Sequence, residues 1–86
     1  MNEEVKSEVK AFLKNKLAEL LNIGESDIGD DALFIEELGT TSIMIVDLFV
    51  SAEEKYQVDM QSRFDLTDKL SINILTDMIT SLMVTE

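Results

Sequence analysis

Three stretches of this chain repeat apolar side chains at the period of an α-helix, and that rhythm leaves little room for any fold but a helical one. In the first, Val5, Val9, Phe12, Leu13, Leu17, Leu20 and Leu21 follow the i, i+4, i+7, i+8 spacing of one helical face. The spacing predicts a helix over residues 3–21, with Asn2 as its cap and Gly24 ending it through a left-handed residue. A second helix is expected over 42–56, where Thr40 and Thr41 are both competent N-caps. In the third stretch Ser71 can cap a helix in which Leu75, Met78, Ile79 and Leu82 recur. Phe64–Leu70 is read as one short helical turn, and 57–63 as polar and irregular. Between Ile23 and Thr41 lies a long connection, with Ile28, Leu33, Phe34 and Leu38 expected to anchor it. The expected fold class is all-α: a four-helix bundle with three longer helices, one short helix and a long loop between helices one and two.

At 86 residues the chain has room for one domain, spanning 1–86, and it has no cysteine to staple a small core. Absence of cysteine also excludes a disulfide framework, a thiolate nucleophile and a thiolate zinc site. Histidine is missing too, which removes the usual general base and the commonest metal ligand. No enzyme is expected, and no metal. Met1 to Lys10 is charged and no apolar run is longer than Ile43–Val46, so the chain reads as soluble and cytoplasmic, with no membrane segment.

Net charge is −11, and it is unevenly placed. Residues 1–21 balance four acids against four bases, whereas residues 22–59 hold ten acids and Lys55 as the single base. Such a middle segment repels nucleic acid and attracts cationic protein surfaces.

The second helix carries one apolar stripe too many. Ile45, Leu48, Phe49, Ala52 and Tyr56 have the spacing of a core face. Ile43, Val46, Val50 and Glu54 form another stripe, with Met44 and Asp47 beside it. A helix in a small bundle buries one such face, so the second is expected to stand exposed, rimmed by Asp47, Glu53 and Glu54. Ser42 lies in the first turn of this helix, where free N–H groups and the helix dipole favour an anion. With no histidine to activate it, Ser42 is no autonomous nucleophile.

Leu38-Gly39-Thr40-Thr41-Ser42-Ile43, then Val46-Asp47-Leu48, then Ala52-Glu53-Glu54-Lys55-Tyr56, resembles the acyl carrier proteins. The likeness implies a carrier that is not itself an enzyme. A phosphopantetheinyl transferase would attach 4′-phosphopantetheine covalently to Ser42, and the arm would hold acyl intermediates as thioesters for fatty acid, polyketide or related biosynthesis. It further implies a monomer whose partners are acyl-loading and acyl-transfer enzymes with basic patches. Those enzymes would meet Ile43, Met44, Val46, Asp47, Val50, Glu53 and Glu54. The same likeness places an acyl chain in the interior among Ile45, Phe49 and Ile79. Thr41 stands where the family usually has Asp, and Met44 where many members have another acid. Both departures point to a specialised carrier with dedicated partners.

Two other readings stand beside this one. One is a pantetheine-free acidic helical module that binds proteins through the second face and does not need the Ser42 hydroxyl. The other is an EF-hand-like window with Glu25, Asp27, Asp31 and Glu36 at positions 1, 3, 7 and 12. That window has Asp30 where the loop requires its turn glycine.

Overall fold

The computed structural model describes residues 3–60 and 69–83, and among them it is all-α with no strand. Helix α1 runs Glu3–Leu21, α2 runs Ser42–Tyr56 and α3 runs Ile72–Met83. A single 3-10 turn, Glu25–Asp27, interrupts the long α1–α2 loop. The expected turn over Phe64–Leu70 falls largely in 61–68, outside the described residues, as does Asn2. Three long helices are thus established, while the fourth element of the expected bundle is not.

Each helix buries most of the face its spacing selects, although Met78 of the third stripe is only half-buried and lies outside the core. Val9, Leu13 and Leu17 of α1, Ile45, Leu48, Phe49 and Ala52 of α2, and Ile72, Leu75 and Ile79 of α3 share one core. Val5, Phe12, Leu20, Leu21, Tyr56 and Leu82 pack on its margin. Thr76 and Thr80 are buried on α3 as well. The Thr80 hydroxyl resolves its own burial by donating to the Thr76 carbonyl at 2.9 Å.

The end of α1 departs from expectation in an instructive way. Helix α1 closes on Asn22, at φ 59°, and not on Gly24, which sits at φ −80°. Asn22 N–H donates to the Glu19 carbonyl and Ile23 N–H to the Ala18 carbonyl, the paired bonds of a Schellman closure. Asparagine tolerates the left-handed region well enough to take that place. Helix α2 closes likewise on Gln57, at φ 58°, whose side-chain amide donates to the Glu54 carbonyl at 3.0 Å.

The long loop is packed through three of its four expected anchors. Ile28 and Phe34 are buried, Leu38 packs on the core, and Leu33 remains half-buried. Phe34 N–H donates to the Leu70 carbonyl and Thr40 N–H to the Phe34 carbonyl, both at 2.9 Å. Asn73 N–H donates to the Asp30 carbonyl at 2.9 Å, and the Asn73 amide to Asp31 at 2.8 Å. The start of α2 is therefore held by a loop that is itself tied to the approach and first turn of α3.

Candidate functional site

The site is built around the first turn of α2. Gly39, at φ 71°, turns the chain out of the loop, and a Cβ placed on it would meet nothing within 4 Å. Thr40 then turns inward and is 4% exposed. Thr41 caps the helix, its hydroxyl accepting from Met44 N–H at 3.3 Å while its carbonyl accepts from Ile45 N–H at 3.1 Å. Of the two threonines read as caps, Thr41 does the capping. Ser42 follows, exposed, its side chain making no hydrogen bond among the described residues.

Helix geometry leaves the amides of Ser42 and Ile43 without a carbonyl one turn back. A phosphodiester on the Ser42 hydroxyl fits here: unpaired amides, the positive end of the helix dipole and the bare Gly39 backbone lie together, and no carboxylate side chain occupies the first turn. The other described serines stand elsewhere. Ser71 is buried and caps α3 by accepting from Ile74 N–H at 3.3 Å, as its position predicts. Ser7, Ser51 and Ser81 lie within helices, and Ser26 lies in the 3-10 turn.

Beyond Ser42 the second stripe of α2 is exposed only in part, the apolar exposure being concentrated at its start. Ile43 is 82% exposed, Val46, Val50 and Met44 are half-buried, and Asp47 and Glu54 face solvent. Neither Asp47 nor Glu54 enters an ion pair among the described residues. Lys55, the single base of the middle segment, is drawn to the other flank, 5.5 Å from the Phe12 ring centre and 5.6 Å from that of Tyr56. Glu53 differs from its neighbours. Its carboxylate accepts from Met60 N–H at 2.8 Å and fastens the chain after α2, so it serves the fold at the margin of this face.

The acids of the EF-hand-like window do not converge. Glu25 accepts from Asn15, Asp27 from Gly24 N–H, Asp31 from Asn73, and Glu36 pairs with Lys69 at 2.9 Å. Among the described residues no three metal-ligating side chains gather in one place. Asp30, the residue that spoils the turn, has a structural role that sequence reading missed. It pairs with Lys14 at 2.6 Å and Lys10 at 3.0 Å, and these hydrogen bonds hold its carboxyl below the usual range. The i, i+4 spacing of Lys10 and Lys14 was the available signal, but the partner lies across the loop.

With this geometry in view, known proteins can be set beside the chain. The family model described as "Phosphopantetheine attachment site" matches residues 11–79. The chain belongs to this family of carrier proteins. Among its relatives are an acyl carrier protein of Sulfurovum sp. (strain NBC37-1), 31% identical over 48 residues, and one of Wolinella succinogenes, 29% identical over 48 residues. Each alignment covers 56% of this chain, and it spans 64% and 63% of the respective relatives' length. As a member of the family the chain takes a covalent 4′-phosphopantetheine, which sets aside the pantetheine-free alternative. Among the described residues of this carrier, no helix is long and apolar enough to cross a membrane.

Proposed function

We propose that the protein is a single-domain, monomeric, cytoplasmic acyl carrier whose arm is attached at Ser42. The observation that carries this reading is the exposed Ser42 hydroxyl at the N-terminus of α2, lying within the stretch that matches the family. The arm supplies the terminal thiol that a chain without cysteine lacks, and acyl groups ride on it as thioesters. What the chain contributes is position. Thr41 caps the helix and leaves Ser42 outward, the first-turn amides steady the phosphate, and the cargo is presented beside the α2 face.

That face is the docking surface for a phosphopantetheinyl transferase and for enzymes of fatty acid, polyketide or related biosynthesis that load and take the acyl group. Asp47 and Glu54 meet basic patches, while Ile43, Met44, Val46 and Val50 supply the apolar contact. Glu53 contributes from the edge, through the carboxylate that also holds Met60. Met44 and Thr41 make the face more apolar and less charged near Ser42, which suits dedicated partners over general ones. Ile45, Phe49 and Ile79 are at most 1% exposed, so an acyl chain sheltered among them displaces packed side chains.

The test is intact mass after incubation with coenzyme A and a broad-specificity phosphopantetheinyl transferase, beside Ser42→Ala. One phosphopantetheine is expected on the parent and none on the variant. A folded parent that gains nothing while a control carrier is loaded, and still gains nothing after Thr41→Asp, contradicts the reading.

A further inference from the structure

Two residues before Ser42, the Thr40 side chain poses a problem that the fold does not solve. Thr40 is 4% exposed, and its hydroxyl oxygen is buried with no hydrogen-bond partner among the described residues. A buried hydroxyl is normally satisfied, and an apolar isostere would fill the same space without that penalty. It is not needed as a cap, because Thr41 performs that task. Its backbone is anchored: Thr40 N–H donates to Phe34, and Phe34 N–H donates to Leu70 just before α3. The unpartnered hydroxyl thus sits where the loop, the start of α2 and the approach to α3 are sewn together. Ser42, two residues further on, starts α2 at this same junction.

We propose that the Thr40 hydroxyl is a hydrogen-bonding post for the pantetheine arm, satisfied when the loaded arm turns inward. This rests on attachment at Ser42. The arm offers matching chemistry, with amide N–H and carbonyl groups along its length and a thioester carbonyl at its end, and a hydroxyl can donate or accept. Next to it in the chain, Gly39 is exposed, and nothing lies within 4 Å of where a Cβ on it would stand. In the unloaded protein the hydroxyl is a local disadvantage. In the loaded protein it becomes a fixed contact that draws cargo toward the bundle.

The experiment compares wild type, Thr40→Val and Thr40→Ser, each unloaded and loaded from hexanoyl-coenzyme A by a broad-specificity transferase. Intact mass first confirms loading of all three; a wild type that takes no arm refutes attachment, and that failure is separate from the one tested next. Two readouts follow, the melting temperature of loaded against unloaded protein and the rate of thioester cleavage by hydroxylamine. Unloaded Thr40→Val is expected to melt at or above the wild-type temperature. On loading, wild type and Thr40→Ser are expected to gain stability, while Thr40→Val loses at least half of that gain and its thioester is cleaved at least threefold faster. Equal gains and equal cleavage rates for Thr40→Val and wild type overturn the proposal, as does a wild type with no gain on loading.

Discussion

Helices α1 and α2 both carry charge along an exposed flank, and they treat it in opposite ways. On α1, Lys6, Lys10 and Lys14 stand four residues apart and each reaches an acid of the same molecule, Asp77 at 3.1 Å and Asp30 at 3.0 and 2.6 Å. On α2, Asp47 and Glu54 have no such counterpart among the described residues, and Ile43 between them and Ser42 is 82% exposed. The α1 flank is satisfied internally and fastens the loop and α3. On the α2 flank Ile43 stays open to solvent and Asp47 and Glu54 lack an ion pair among the described residues, which suits the docking role proposed above.

The largest effect that sharpens the contrast lies within α2 itself. Phe49→Ala, on the buried side, is expected to destabilise the fold by about 3–5 kcal/mol, whereas Ile43→Ala on the outer side changes it by less than about 0.5 kcal/mol. Denaturant titration of both variants checks this, and equal losses would erase the distinction between the two stripes. Next comes the double charge reversal Asp47→Lys with Glu54→Lys. It is expected to lower kcat/KM for arm loading by about tenfold, or about 1.4 kcal/mol, with an unchanged melting temperature and a weaker dependence on salt.

On the α1 side, Asp30→Asn is expected to cost about 1 kcal/mol or less at neutral pH, since the carboxylate remains partly solvated. The folded-state pKa of Asp30 is lowered by Lys14 and Lys10 below its ordinary 3.8. Its contribution is therefore fully present above that value and fades as pH falls through it toward the folded-state pKa. The stability gap between wild type and Asp30→Asn should close over that acidic window, and a gap that widened there would contradict the pairing. Smallest is Thr41→Asp, which keeps a capping oxygen and adds a charge that the helix N-terminus favours by about 0.3–1 kcal/mol. A small rise in melting temperature checks it.

Much of this was legible because periodicity is a local signal. The bounds of α2, its buried stripe from Ile45 to Ala52, its outer stripe and the cap of α3 by Ser71 all follow from spacing and residue type. What was not legible depends on contacts across the chain. The link from Lys10 and Lys14 to Asp30 needs the loop to fold back over α1, and the hold of Glu53 on Met60 needs the chain to reverse after α2. Local rules also mislead where two residue types compete: a glycine lay near the end of α1, yet Asn22 took the left-handed turn. Thr40 and Thr41 look alike in sequence, and only burial separates the cap from the orphaned hydroxyl.

The central claim is that Ser42 is the residue this carrier offers to its arm. Fragment-ion mapping of the protein after loading from coenzyme A tests it directly, because the chain holds six other serines, Ser7, Ser26, Ser51, Ser62, Ser71 and Ser81. The account predicts one phosphopantetheine, on Ser42 alone. An arm on any other serine, or a loaded Ser42→Ala variant, would contradict it.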